Sequence, residues 1–593
     1  MKNDLTTMRH SAAHLMAAAV EKLWPKTKFG IGPVIENGFY YDFDFPAGIT
    51  EADLEKIEKK MKELKDKKLP FERSEMPIEE ALKFERKRKQ DYKCELIEQI
   101  KETGATALED EETPKILPTA KKDVKKVSYY KLGNFIDLCR GPHIPSTDYI
   151  GYFKLLNLAG AYWRGSENNP MLTRIYGTVW PTQKELKEHL WQLEEAKRRD
   201  HKKIGAELEL FMFHESAPGM PYWLPKGLTI LNELINFWRQ THQKAGYQEV
   251  ATPLLSEKKL WEISGHWQFY QEHMFIAQLN KNTTYAAKPM NCPNAMVVFG
   301  SKIRSYKDLP LRISDTDILH RLEKSGTLSG LLRTREFRQD DAHIFITEDQ
   351  IGDEYSEILK IADHFYSVFD LDYRLRLGTR PEKFLGEVAI WDKAEGTLKR
   401  ILEKSGKEYF TLEGDGAFYG PKIDILMKDA LGREWQTGTI QLDFQLPTRF
   451  GLKFTNKGGR QKTPVVIHRV IYGSFERFIG ILIEHYAGAF PTWISPVQAV
   501  IIPIAERHTS YAESLKEKLI EAGARAEVDS RSETMQAKIR DAQVQKIPYM
   551  LIVGDREQVQ NKVSIRSREK GDEGSADSEY LIKRLKNEIE QRK

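Results

Sequence analysis

Apolar and polar positions alternate around a glycine-bearing turn in GPVIENGFYYDFDF, which predicts a β-hairpin. The period then changes. In ITEADLEKIEKKMKELKDKK, Leu54, Ile57, Met61 and Leu64 recur at helical spacing behind Thr50 and an acidic first turn, so this stretch reads as a helix. Residues 1–180 are therefore a first α+β unit of short strands and helices. Pro181 to Lys203, PTQKELKEHLWQLEEAKRRDHKK, predicts one charged helix linking domains, with few neighbours to pack against. From 204 to 495, β-type segments (REWQTGTIQLDF, TPVVIHRVI) interleave with helices such as GLTILNELINFWRQTHQKAG, the pattern of an α+β domain on a mainly antiparallel sheet. Residues 496–593 alternate apolar strands (QAVIIPIA, RAEVDS, PYMLIVGD, KVSIRSR) with helices, which indicates a small α/β module with parallel strands. No internal repeat or low-complexity tract interrupts this order.

A chain of 593 residues has room for roughly four domains. Charged residues make up 30% of it, mean hydropathy is negative, and no apolar run approaches the ~20 residues of a membrane span, so no membrane partner is expected. The stretch SAAHLMAAAV contains His14 and runs into polar EKLWPK without a cleavage pattern, unlike a signal peptide. Cys94, Cys139 and Cys292 are too few and too dispersed for a disulfide framework and fit a reducing, cytoplasmic location. With 91 basic and 87 acidic side chains the net charge is +4, too balanced to announce a nucleic-acid binder. Local basic segments such as ALKFERKRKQDYKCE and EEAKRRDHKKIG read first as solvated helix faces.

Chemistry concentrates in a few stretches. Cys292 in KPMNCPNAM, His343 in RTREFRQDDAHIF and His468 in VIHRVIYGSFERF supply a thiolate and two imidazoles, the ligand set of a zinc ion that keeps an open position for substrate. Their wide separation is unlike the close pairs of sequence-legible zinc sites. At the other end, His10 and His14 share one helical face, and Cys139-Arg-Gly-Pro-His143 adds a thiol and a third imidazole. Those residues spell either a second zinc site or a metal-free pocket in which imidazoles position water.

GTLSGLLRTREFRQDDAHIF, preceded by Arg321-Leu322-Glu323, resembles motif 2 of the class II aminoacyl-tRNA synthetases; GSFERFIGILIEH, with Arg477, resembles motif 3, and EVATPLL, with Pro253, resembles the dimer-forming motif 1. Together with KPMNCP, WQTGTIQLDF and the N-terminal elements, the resemblance is to the threonyl-tRNA synthetases and covers essentially the whole chain. It implies a multidomain α+β architecture: an editing domain (1–180), a linker helix (181–203), a class II antiparallel-sheet catalytic core (204–495) and an α/β anticodon-binding domain (496–593). It also implies a homodimer that joins threonine to tRNA(Thr) using ATP, with magnesium accompanying the nucleotide. Two negatively charged groups must meet in that reaction, which is why guanidinium forks recur. By resemblance Arg321 holds the α-phosphate and the amino-acid carboxylate, and Arg477 the γ-phosphate. Glu323 accepts from adenine, Phe337 stacks on it, Arg333 is a further phosphate ligand, and Gln436 and Thr439 line the ATP side. Zinc on Cys292, His343 and His468 takes the amino and hydroxyl groups of threonine, with Asp341 accepting from the hydroxyl and Gln339 and Tyr419 holding the substrate.

Such a site rejects valine, which lacks the hydroxyl, far better than serine, which lacks only a methyl worth ~1–3 kcal/mol. The resemblance therefore implies hydrolytic editing of seryl-tRNA(Thr) by His10, His14, Tyr41, Asp137, Cys139 and His143, in a pocket shared with alanyl-tRNA synthetases and favoured as metal-free. Glu557 and Arg566 match anticodon-contacting positions, while Ser532 stands where the family usually has Asn. Two departures stand out: SDTDILHRLEKSG differs from the usual approach to the motif 2 arginine, and the chain begins almost at His10, where many members carry a preceding ubiquitin-like domain, so it either lacks that domain naturally or is trimmed. A competing possibility is a non-catalytic RNA-binding paralogue. Loss of Arg321, Arg477 or a zinc ligand would favour it, and none is lost.

Overall fold

The chain's computed structural model describes residues 2–103, 124–166 and 168–593. It divides into two compact units, Met1–Glu194 and Glu195–Lys593.

In the first unit the helix Lys2–Leu23 is buried almost all round from Ala12 to Val20, and its run of small alanines lets it seat on neighbours without bulk. The apolar stretch is thus a core helix. It packs against the predicted helix Ala52–Lys65, which buries Leu54, Ile57, Met61 and Leu64. Thr50 does not cap that helix with its own oxygen; its amide and hydroxyl donate to Asp53 Oδ2 at 3.0 and 3.2 Å. The predicted hairpin forms between Val34–Ile35 and Gly38–Asp44. Gly38–Asp44 lies in an antiparallel sheet with Lys28–Phe29, Met171–Trp180 and Tyr152–Tyr162. A second antiparallel sheet joins Phe71–Pro77, Lys126–Leu132 and Phe135–Leu138, and sets Asp137, and Cys139 just beyond the last strand, beside His14 and His10 of the first helix.

The segment 181–203 is not one helix. Gln183–Arg198 ends before Asp200, whose side chain accepts from Lys202 N and starts a separate helix, His201–Glu207. A carboxylate that can cap a new helix interrupts the old one.

The second unit centres on eight strands in the order Gln248–Glu249, Leu311–Asp315, Asp341–Ile346, Val465–Val470, Glu434–Asp443, Lys422–Lys428, Tyr373–Gly378, Tyr409–Leu412. All inner pairings are antiparallel and only the two outermost are parallel. The period of two sorts the faces. Ala342, Ile344, Ile346, Val465, Ile467, Ile440 and Leu442 point into the main core with the helices Pro225–Lys244, Ile351–Ser367 and Phe475–Tyr486. Asp341, His343, His468, Thr439, Gln441 and Asp443 consequently lie on the opposite face.

The C-terminal sheet has the expected parallel strands and adds an antiparallel edge. Ala526–Val528, Ala499–Pro503 and Tyr549–Val553 are parallel, but Lys562–Ser567 and Gly571–Asp577 return antiparallel. Only the six-residue helix Asp555–Gln560 separates Tyr549–Val553 from Lys562–Ser567, too short for a parallel crossover.

Candidate functional site

Register brings the three separated ligands together. His343 and His468 face each other across neighbouring strands, with ring centroids 4.8 Å apart. Cys292 opens the helix Cys292–Gly300 beside them, so that one ligand atom from each lies within 4.8 Å of the others. All three are buried. His468 Nε2 donates to Asp443 Oδ2 at 2.9 Å, which turns its Nδ1 towards the cluster, and among the described residues that Nδ1 and His343 Nε2 are buried nitrogens without a hydrogen-bond partner. Burial opposes a Cys292 thiolate, yet the two imidazoles pull the thiol below its ordinary range; His468 is raised, against burial, by that sulfur and by Asp443. Two orphaned nitrogens and an acidified thiol are a donor set that fits a soft divalent metal.

The substrate-side residues converge there. The Tyr419 ring centroid is 5.3 Å from that of His468 and its hydroxyl donates to Gln441 Oε1. Asp341 accepts from Asn291 Nδ2 at 3.1 Å, and burial pushes its carboxyl up. Gln339 bridges to Ser474 at the head of the motif 3 helix. Asn291, Gln441 and Asp443 escaped the sequence reading, although Asn291 adjoins Cys292 and the other two alternate with apolar neighbours on a predicted strand.

Next to this cluster lie the arginines. Arg321 Nε donates to Pro289 O at 3.2 Å, and its guanidinium sits 5.0 Å from the Phe337 ring centroid. Arg477 Nε donates to Leu332 O at 2.9 Å. Burial, then the charges of Arg321 and Arg333, hold Arg477 below its usual value, a concentration of positive charge that an anion would relieve. Arg333 Nε meets Glu323 Oε2 at 3.0 Å, so these two residues pair with each other. Gln436 Nε2 and Thr439 Oγ1 both donate to Asp424 Oδ1, at 2.8 and 2.9 Å, while Gln436 Oε1 accepts from Arg376 Nη2 at 2.8 Å. Arg376 and Asp424 are further members that sequence did not single out.

The N-terminal cluster has a different character. His10, His14, Cys139 and His143 each bring a ligand-type atom within 4.8 Å of the rest. Cys139 Sγ lies 3.3 Å from His10 Nε2 and from His143 Nε2, and Gly141 N donates to it at 3.2 Å. The far nitrogens are held: His10 Nδ1 by Pro142 O at 3.2 Å and His143 Nδ1 by Ser11 Oγ at 3.0 Å. Burial raises the Cys139 thiol to about 12 and lowers all three imidazoles. Beneath them Asp137 receives Tyr41 OH at 2.5 Å and lies 2.6 Å from Lys93 Nζ and 3.5 Å from His14 Nδ1. Lys93 was missed because it follows closely on the basic run 86–89; only the fold shows it buried.

On the short helix Asp555–Gln560, Glu557 Oε2 accepts from Gly554 N at 3.1 Å, and in the neighbouring strand Arg566 carries a buried Nε with no partner among the described residues. Ser532 is exposed.

An antiparallel sheet with its polar face lined by motif 2 and motif 3 arginines defines a class II synthetase core. Residues 275–486 match the tRNA synthetase class II core domain (G, H, P, S and T), 498–588 an anticodon binding domain, and 127–176 the threonyl and alanyl tRNA synthetase second additional domain. A threonine--tRNA ligase of Carboxydothermus hydrogenoformans is 49% identical over 585 residues, 99% of this chain and 89% of that protein. One from Clostridium tetani is 48% identical over 586 residues, 99% and 88% of the two chains. The crystal structure of the RNA binding domain of threonyl-tRNA synthetase from Cryptosporidium parvum Iowa II shares 41% identity at a TM-score of 0.64, over 65% of this chain and 98% of that one. The chain belongs to the threonine--tRNA ligase family.

Proposed function

We propose that this protein activates threonine with ATP, transfers it to the 3′ end of tRNA(Thr), and hydrolyses seryl-tRNA(Thr) formed in error. The observation that carries the proposal is the buried Cys292, His343 and His468 cluster with its two unpartnered nitrogens, set beside the arginine-lined face. Those three residues would hold zinc, which when bound supplies open positions for the amino and hydroxyl groups of threonine and so excludes valine. Asp341 accepts a hydrogen bond from the hydroxyl, and Gln339 and Tyr419 fix the amino-acid end. Arg321 holds the threonine carboxylate against the α-phosphate of magnesium-bound ATP while Arg477 and Arg333 gather the outer phosphates. Glu323 and Phe337 then receive adenine, for which the Glu323–Arg333 pair must open. A carboxylate oxygen bonds to the α-phosphorus as pyrophosphate leaves; the terminal ribose 3′ hydroxyl next attacks the carbonyl and AMP departs.

Editing is assigned to the metal-free pocket. The outer nitrogens of His10 and His143 are held by Pro142 O and Ser11 Oγ, and burial keeps the Cys139 thiol protonated, the reverse of the direction at Cys292. His10 and His143 carry lone pairs at Nε2 that can take a proton from water, and Lys93 with Tyr41 keeps Asp137 in place.

The proposed division is editing in 1–180, a link in 181–203, catalysis in 204–495 and anticodon binding, through Glu557 and Arg566, in 496–593. Exposed Leu254 and Leu255 after Pro253 support a homodimer through motif 1, and three free cysteines fit the cytoplasm. No helix among the described residues is long and apolar enough to cross a membrane. ATP–pyrophosphate exchange with threonine, serine and valine side by side tests the proposal: exchange with threonine and serine but not valine is expected, and no threonine-dependent exchange overturns it.

A further inference from the structure

His201, Glu484 and Asp200 form a third cluster of ligand-type side chains, and it is not built for a metal. Leu331 N donates to His201 Nε2 at 3.1 Å, so that nitrogen is a lone pair and the ring proton is on Nδ1, which donates to Glu484 Oε1 at 2.7 Å. Both imidazole nitrogens are spent. Glu484 Oε2 is taken by Arg433.

These bonds close a ring around the nucleotide end of the site. Glu484 lies on the same helix as Arg477, Phe475–Tyr486. Arg477 Nε donates to Leu332 O, and Leu331, the residue before it, is fastened to His201, which returns to Glu484. The turn Gly330–Leu332 leads directly into Arg333, whose carbonyl accepts from Ser329 N at 3.2 Å. The close approach has left a mark on the backbone: Gly330 has φ +52°, and a Cβ there would lie 2.2 Å from His201 Nε2. Gly480 on the motif 3 helix likewise admits Leu331 and Leu332, which a Cβ would meet at 3.3 and 3.2 Å.

We infer that His201 is a positioning residue for ATP: it locks the Gly330–Leu332 turn to the motif 3 helix, so that Arg333 and Arg477 are presented together to the outer phosphates. This rests on the ATP-binding roles proposed above for those arginines. The imidazole touches no substrate and acts only through the turn and Glu484.

The test is equilibrium binding of MgATP and of AMP to the full-length protein. His201→Asn keeps a donor for Glu484 and loses the acceptor for Leu331 N; it should weaken MgATP by about tenfold and leave AMP within about twofold. His201→Gln, whose amide oxygen reaches the position of Nε2, should restore most of the MgATP affinity. A general structural defect would weaken both nucleotides alike. Unchanged MgATP binding, or equal loss for MgATP and AMP, overturns the inference. If His201→Asn does not fold, Glu484→Gln, which releases the ring from the motif 3 helix while leaving Gly330 and His201 in place, is judged by the same criterion. Threonine-dependent exchange by the unaltered protein is a separate reading: its absence would sink the proposed activity while nucleotide binding still decides the role of His201.

Discussion

Cys139 and Cys292 are both surrounded by imidazoles, yet their thiols are driven in opposite directions. Around Cys139 burial dominates and the thiol is raised to about 12; around Cys292 the imidazole charges, with His468 supported by Asp443, overcome burial. Metal ligation needs the thiolate, so the two sites respond differently to substitution. Cys292→Ala should abolish bound zinc and threonine-dependent ATP–pyrophosphate exchange, read by elemental analysis and isotope exchange; persistent exchange in a zinc-free variant would refute metal recognition. His10→Ala should leave threonine charging intact and let seryl-tRNA(Thr) accumulate, as measured by acylation with labelled serine, with no zinc lost. The ligand-type residues were legible because Cys and His are chemically conspicuous. Lys93, Asp424 and Asp443 were not, since a lysine in a charged helix or an aspartate in a strand acquires meaning only from what the fold places opposite it.

Among the elements, the helix Phe475–Tyr486 carries the most conflicting demands. Ser474 caps it by accepting from Arg477 N at 3.0 Å, and its first turn buries Glu476, whose carboxylate accepts from Arg338 N at 2.9 Å. Burial, only partly offset by that bond, raises the Glu476 carboxyl to about 8. Its folded value lies above the ordinary 4.5, so its contribution to stability is full below about 4.5 and is lost as pH rises through about 8. Glu476→Gln should therefore flatten the dependence of melting temperature on pH between these values, checked by thermal unfolding across that window; an unchanged slope would refute it. Helical and hairpin periods were readable where one face is buried, as in Ala52–Lys65. The break at Asp200 was not, because a charged helix gives no apolar stripe whose interruption could be seen.

At the scale of the whole molecule, order along the chain predicted the two mixed architectures but not every strand direction. Gly571–Asp577 is poor in β-forming residues, and its pairing with Lys562–Ser567 depends on a hairpin that turns the edge of the C-terminal sheet antiparallel. Arg566 lies on that hairpin with an unpartnered Nε. Arg566→Ala should lower aminoacylation of tRNA(Thr) about tenfold with amino-acid activation unchanged, as comparison of charging and exchange rates will show; equal loss in both assays would refute an RNA-binding role.

The alternation of faces in the central sheet reaches beyond this one reaction. Asp341, His343, His468 and Gln441 share a face, whereas Ala342, Ile344, Ile467 and Ile440 hold the other against the helices. Substitutions on the first surface remove no packing from the second. Selectivity and the apolar core are thus carried by opposite sides of the same strands, so a change of preferred amino acid can be sought without redesigning the side that packs on the helices.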